Sequence, residues 1–375
     1  MDKSLKWRIA VAAAVLLAAL FYALPSFNGG LPSWWTQKKV NLGLDLKGGI
    51  HLVMGVDLNV VLENTAGRLA DDLRRSMSDK SISAVNVAKG EGTTIEAEFP
   101  DQASVDATEA LLTEEFPQLG VARRDGLRLT LALTEAETAH VRDMTAAQAL
   151  ETIRSRVDLF GVAEPDIRPQ GDDRIVIQLP GMDDPKRAVA LIGKTAQLEF
   201  KLVDNTRTAE WAVTNGAPAG TEILYQREVD RNGVERRIPY LLKKVPLMTG
   251  EGLTDARPTQ SGQLGELEVS ITFDGRGARQ FERVTGEYVN RNMAIVLDGA
   301  VHSAPVIRSK ISGGRAVISG SFTMEEARDL AVVLRAGALP APVSVLEERT
   351  VGPTLGADSI QMGLRAGLLG LGAVL

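Results

Sequence analysis

The stretch LGVARRDGLRLTLAL, residues 119–133, decides the reading of the fold. Asp125-Gly126 is a two-residue hairpin signal, because glycine accepts the positive φ that a type I′ turn requires. Beyond it Leu127, Leu129, Leu131 and Leu133 alternate with polar or small residues, as a half-buried strand does. Upstream, Leu119 to Arg124 closes a cycle that opens at Ile50. Ile50 to Leu58 is apolar and extended, and Val60 to Met77 places Leu62, Ala66, Leu69, Leu73 and Met77 on one helical face. Ile95, Ala97 and Phe99 alternate as a strand, and Val105, Leu112 and Phe116 mark a second helix. The order is strand, helix, strand, strand, helix, strand.

Downstream of the turn the same order starts again. Thr134 with Glu137 has capping-box spacing, and Thr145 with Gln148 repeats it before a helix carrying Leu150, Ile153 and Val157, which ends at Gly161. Strands follow at Ile167 and at Ile175 to Leu179, then a helix from about Asp184 to Lys194 and a strand from Gln197 to Val203. Residues 205–265 interrupt the pattern with Asn, Gly, Pro and charged residues, although Asn232-Gly233 signals one exposed hairpin. Leu267, Val269, Ile271 and Phe273 open a third cycle, turned at Asp298-Gly299. Thr323 with Glu326 is a further capping box, feeding a helix that Gly337 and Pro340 end before a strand at Val343 to Leu346. The fold class is therefore α+β, in successive ferredoxin-like (βαββαβ) units that pack two helices on one face of an antiparallel sheet.

Of 375 residues, 44% are hydrophobic and 24% charged, an ordinary globular composition. No cysteine is present, which excludes disulfides, thiol catalysis and cysteine-ligated metals. The three histidines, His51, His140 and His302, are not spaced as a helical zinc pair. The net charge of −6, with no basic run longer than two, argues against nucleic acid as a partner. His302 and Ser303 are neighbours in a strand and point to opposite faces, so no catalytic triad with Asp298 is expected. The carboxylate pairs Asp172-Asp173, Asp183-Asp184 and Glu347-Glu348 read as solvated turns and helix starts, not as metal ligands. No catalytic residue, metal or cofactor is expected.

Both ends are apolar. Ile9 to Leu24 lacks charge, with Trp7, Phe21 and Tyr22 near its ends, and reads as a membrane helix somewhat shorter than the roughly 20 residues a bilayer needs. Lys3, Lys6 and Arg8 precede it, which places the amino terminus in the cytoplasm and the following domain in the periplasm. A cleaved signal peptide is the rival, but no small-x-small cleavage site follows. Ile360 to Leu375 reads as a second membrane helix cut by the chain end, against the alternative of an amphipathic surface helix. Two glycine-rich segments border these ends: residues 42–49, with Gly48-Gly49 as a tight entry to the first strand, and residues 349–356, which read equally as a shaped hinge or as a plain linker.

Leu42 to Gly49, the run from Val157 to Gly181, and Gly337 through Gly356 together resemble the SecD family of subunits of the bacterial Sec translocase (SecDF), over essentially the whole chain. The resemblance implies a six-span protein of the bacterial inner membrane whose large periplasmic domain has a base and a mobile head. Its implied partners are SecF, the SecYEG channel, YajC and YidC, and an unfolded preprotein. Its implied role is to use the proton motive force to promote preprotein translocation and release, without ATP hydrolysis of its own. Asp45, Gly48 and Gly49 match the double-glycine motif; Arg349, Gly352, Pro353 and Gly356 match the segment before the second span. These seven would couple membrane helices to the base. The expected division is 1–28 for the first span, 29–49 for a linker, 50–205 for a base of two ferredoxin-like units, 206–342 for the head, 343–358 for the return and 359–375 for the start of the second span. Preprotein contacts are expected within the head, and proton-relay residues beyond this sequence. Two other classes share parts of the pattern: a membrane-anchored hydrolase, and a proton-driven exporter with an enclosed apolar pocket.

Overall fold

The computed structural model describes residues 44–182, 184–229, 235–260, 267–320 and 322–374, with Trp7, Val11, Ala14, Val15, Ala18 and Phe21. A single helical turn, α1 (Leu44–Lys47), leads into β1 (Gly49–Val56) and then α2 (Leu58–Asp79), whose Leu62, Ala66, Leu73 and Met77 form one buried stripe. After β2 (Asn86–Lys89) and β3 (Thr94–Glu98), α3 (Gln102–Glu115) starts at Asp101, whose carboxylate accepts from the Ser104 N–H at 2.8 Å. β4 (Leu119–Asp125) turns through Gly126, at φ 60°, into β5 (Arg128–Leu133). α4 (Glu135–Phe160) is capped by Thr134, which accepts from the Glu137 N–H at 3.3 Å, and is ended by Gly161 in the left-handed region. Thr145 starts no second helix. It is buried inside α4, where nothing breaks the backbone, so its spacing to Gln148 is coincidental.

β6 (Asp166–Gln170), β7 (Arg174–Pro180) and α5 (Pro185–Gly193) follow, the last capped by Asp184. The chain then builds a large lobe from β8 (Leu198–Leu202), α6 (Ala209–Asn215), β9 (Thr221–Val229), β10 (Glu235–Lys243), β11 (Met248–Thr249) and β12 (Leu253–Gln260). β13 (Leu267–Phe273), α7 (Gly275–Glu287), β14 (Met293–Leu297), β15 (Ala300–Ser303), β16 (Arg315–Ser319) and α8 (Met324–Ala336) complete it. β9 and β10 form the anticipated hairpin; its Asn232-Gly233 turn lies outside the described residues. β17 (Val343–Val351) returns to β1, and α9 (Pro353–Val374) is the final helix.

The mixed α+β class holds, but the sheets do not follow the chain as successive units. β1 lies between β17 and β7, with β6 beyond, in the order β17-β1-β7-β6, all antiparallel. Numbered along the chain these are strands 4-1-3-2 of a ferredoxin-like unit made of β1, α4, β6, β7, α5 and β17. Ile50, Leu52, Met54, Ile153, Val157, Ile175, Ile177 and Ile192 fill its core. The second unit is inserted after β1: its sheet is β2-β3-β5-β4, covered by α2 and α3 through Ala66, Leu73, Ile95, Leu111, Leu129 and Leu131. It is a circular permutation of the same plan, with β5 in the place expected of β1.

So β1 and β5 trade sheets relative to the sequence-based expectation. The turn sits one residue later than expected, at Gly126-Leu127, with only Gly126 left-handed as in a type II′ and not a type I′ turn; it holds Arg128 opposite Asp125, the last residue of β4, and leaves β5 no freedom to open a new unit. The third cycle is also divided. β13 joins β12 and β16, whereas β14 pairs with β8 and β15 in a six-stranded sheet of order β10-β9-β15-β14-β8-β11. The two sheets share one core, in which the Phe281 ring lies 5.8 Å from Phe200 and 5.4 Å from Phe273. β8, expected to close the second unit, belongs here, and β17 fills its place in the first.

The expected first membrane helix, Ile9 to Leu24, falls almost wholly outside the described residues. The second expected span is part of α9, which begins at Pro353 and so includes Asp358, Gln361 and Arg365. Among the described residues no helix is both long and apolar enough to cross a membrane.

Candidate functional site at the double-glycine turn

Gly48 closes α1 by donating its N–H to the Leu44 carbonyl at 2.9 Å, and its φ of 72° reverses the chain as left-handed helix caps do. Gly49, at φ 139°, then enters β1 against β7 so closely that a Cβ there would lie 2.2 Å from the Leu179 carbonyl oxygen and 3.0 Å from the Gly181 nitrogen. No side chain fits without parting two backbones. The Gly48 carbonyl accepts from the Gly181 N–H at 2.9 Å, so the turn is riveted to the end of β7. Gly181 is itself left-handed, at φ 72°, and faces the Lys47 side chain. Leu179, Pro180 and Gly181 are thus part of the joint. The sequence reading did not include them among the site residues, although the Pro-Gly dipeptide is a turn signal.

On its other side β1 is laddered to β17: Val351 lies opposite Gly49 and Arg349 opposite His51. Arg349 is exposed. Gly352 leaves the strand, Pro353 occupies the first position of α9, and Gly356 follows within the first turn. α1 packs against α9. The structure therefore brings the two predicted segments together: Asp45, Gly48 and Gly49 on α1 and its turn, and Arg349, Gly352, Pro353 and Gly356 on β17 and α9. Two chain segments enter and leave through neighbouring strands of one sheet, one of them central. Such an arrangement can transmit force or displacement. It offers no nucleophile or acid–base pair.

His302 stacks on the Phe322 ring at 5.9 Å, and burial, with Lys194 nearby, pushes its imidazole below the ordinary range, so it is neutral near pH 7. Asp298, the third member of a would-be triad, instead accepts from the Gln197 N–H at 2.9 Å and from the Thr195 hydroxyl. An apolar recess beside Arg156 holds about 10 Å³, far short of the roughly 300–1,000 Å³ of a small-molecule site. A larger cleft of about 600 Å³ is open and lined largely by Asp57, Asn59, Arg142, Asp172, Asp173 and Arg174.

The large lobe contains a polar cluster that the sequence reading missed. The Lys201 ammonium is buried between Glu199, at 3.0 Å, and Glu222, at 2.5 Å. Burial works to lower its pKa, yet the two carboxylates hold it above its ordinary value. Nearby, Lys243 and Thr206 hydrogen-bond to the buried Asp204 and hold its carboxyl down at about 2. Glu199 and Lys201 alternate with apolar neighbours on β8, so only their charge at inward positions could have signalled the cluster.

The described residues thus form a joint between two end segments that carries a large lobe. Comparison with known proteins identifies its family. Residues 33–57 match the SecD/SecF GG motif, residues 146–205 the N-terminal P1 domain of protein translocase subunit SecDF, and residues 221–341 the SecDF P1 head subdomain. The chain is similar to protein translocase subunit SecD of Syntrophobacter fumaroxidans, at 45% identity over 99% of this chain and 72% of that protein. It is also similar to that of Calditerrivibrio nitroreducens, at 42% identity over 100% of this chain and 71% of that protein. The crystal structure of SecDF in its super-membrane-facing form matches with a TM-score of 0.51 and 30% identity, over 100% of this chain and 39% of that one. The chain belongs to the SecD family of protein translocase subunits.

Proposed function

We propose that this chain is the membrane-anchored periplasmic part of a SecD subunit, which acts with SecF on the SecYEG channel, alongside YajC and YidC, to promote preprotein translocation. Residues 206–342 are the head that binds the emerging unfolded chain, and residues 50–205 lie in the base. Proton motive force drives release on the periplasmic side, through membrane segments that this sequence does not include, and the chain catalyses no reaction. Spans at Ile9 to Leu24 and from Ile360 onward hold it in the inner membrane. Asp45, Gly48, Gly49, Arg349, Gly352, Pro353 and Gly356 couple those spans to the base.

The observation that carries the reading, beyond family membership, is the junction of the two terminal segments on β1 and β17. A pull on α1 passes to the buried central strand β1, and a pull on α9 passes to the edge strand β17 that is laddered to it. The test is depletion of the full-length protein and measurement of preprotein release from spheroplasts, with and without a proton gradient. A gradient-dependent defect, restored by the wild-type protein, is the expected result. Normal release with altered small-molecule efflux would favour the exporter reading.

A further inference from the structure

The chain passes between the first ferredoxin-like unit and the large lobe twice, outward at residues 194–197 and back at residues 337–342. Both crossings converge on one side chain. Arg156, on α4, is 1% exposed, the largest fully buried side chain among the described residues. Its guanidinium donates to the carbonyls of Leu191 at 3.2 Å and Ile192 at 2.8 Å, at the end of α5, and to those of Lys194 and Thr195 on the outward crossing. The same group donates to Gly337 at 3.0 Å on the return. The crossings are also bonded to each other, the Leu339 N–H donating to Thr195 at 2.8 Å. A buried cation needs compensating dipoles, and here they come from both crossings at once; a shorter or neutral side chain could not reach them together.

Outside this point α4 packs against α8, and Asp298 of the lobe accepts from Thr195 and Gln197. Leu191, Ala196 and Val333, with Phe160 against them, form a small cluster separate from the main cores. Over it lies Arg187 of α5, its guanidinium 5.0 Å from the Phe160 ring centre, paired with Asp329 of α8 at 2.9 Å and with Glu325 one turn earlier. This pair is partly exposed, with the Arg187 side chain 36% accessible. A helix–helix contact with only a small separate apolar cluster and a partly solvated ion pair permits relative motion of the bodies it joins.

We propose that the lobe is held on the first unit by a two-part fastening: Arg156 is a permanent clamp on both crossings, and Arg187 with Asp329 and Glu325 is a releasable latch that sets the lobe's orientation. The clamp is shielded from salt by burial, whereas the latch is open to it. The geometry stands independently of whether the chain promotes export.

These 375 residues contain no cysteine, and any cysteine elsewhere in the full-length protein is replaced by serine before spin labelling. In the full-length protein, labels at Asp158→Cys on α4 and Ser309→Cys in the lobe report orientation by electron–electron distance measurement. The expected wild-type result at low salt is one dominant distance. Arg187→Ala, or high salt alone, should raise the minor population roughly two- to fivefold, the range of an exposed ion pair. The charge-reversed set Arg187→Glu with Glu325→Arg and Asp329→Arg should restore the single distance. Arg156→Lys retains charge but reaches fewer carbonyls, and should speed limited proteolysis at 194–197 and 337–342 roughly tenfold or more, while far-ultraviolet circular dichroism stays native. An unchanged distance distribution in Arg187→Ala at high salt overturns the latch. Unchanged proteolysis in natively folded Arg156→Lys overturns the clamp; if Arg156→Lys fails to fold, Arg156→Gln is measured by the same criterion.

Discussion

Gly49→Ala is the most direct test of the double-glycine joint, because one methyl group meets backbone on both sides. The Cβ would lie 2.2 Å from the Leu179 carbonyl oxygen, more than an ångström inside an ordinary contact of roughly 3.5 Å. Neither Leu179 nor Gly181 can yield by a rotamer change, so β1 must separate from β7 at its start. That separation removes the Gly181 N–H to Gly48 bond and the adjoining rung, about 1 kcal/mol each. The φ of 139° adds about 1–3 kcal/mol for a residue with a side chain. The expected loss is about 3–5 kcal/mol, a large share of the roughly 5–15 kcal/mol that holds a domain together. Gly55→Ala on the same strand is the control: its Cβ would meet only the side chain of the half-exposed Leu346, at 3.0 Å, and should cost under about 1 kcal/mol. The assay is urea unfolding of the purified full-length protein in detergent, followed by circular dichroism. Equal midpoints for the two variants would refute the close-approach reasoning.

The remaining predictions concern the return segment and the lobe. Gly352→Val should reduce preprotein export in cells while leaving the circular dichroism spectrum unchanged; normal export would remove this position from the coupling path. Lys201→Met leaves the partly exposed Glu199 and Glu222 without their shared cation and should destabilise the lobe by about 1–3 kcal/mol, measured by chemical denaturation. The Asp204 carboxyl titrates at about 2 in the folded protein, below its ordinary 3.8, so its stabilisation is complete above about pH 4 and lost as pH falls toward 2. Asp204→Asn should therefore lower stability at pH 6 and converge on the wild type near pH 2, read from urea midpoints at each pH. Thr323→Ala removes the cap of α8, where Thr323 and Glu326 bond reciprocally, and should cost about 1 kcal/mol in the same assay.

Local elements were legible because their causes are local. Thr134 and Thr323 cap the helices their spacing indicated, Gly161 ends α4, and the alternation over Leu129 to Leu133 lies in a strand, with Leu127 in the turn before it. Thr145 misled for the complementary reason: a capping pair marks a start only where the backbone leaves the helix, which two residue types cannot reveal. The seven residues expected to couple the membrane helices to the base were singled out by resemblance to a family, and the sequence placed them in two separate segments. That these segments lie on adjacent strands, and that Leu179 to Gly181 completes the joint, depended on pairing across more than a hundred residues. Arg156 was equally invisible, since its partners are backbone carbonyls, which carry no residue-type signature.

By itself, then, the chain determined its α+β class and most of its strands and helices outside residues 205–265, where only the hairpin of β9 and β10 was read and α6, β11 and β12 were not. Only tertiary structure decided which strands share a sheet. A period of two tells that a strand has a buried face, but not which core receives it. β1 and β5 carry interchangeable patterns of alternating apolar residues, and both precede a long helix. The choice between them was made by a two-residue turn that ties β5 to β4, and by the return of β17 from the far side of the lobe to pair with β1.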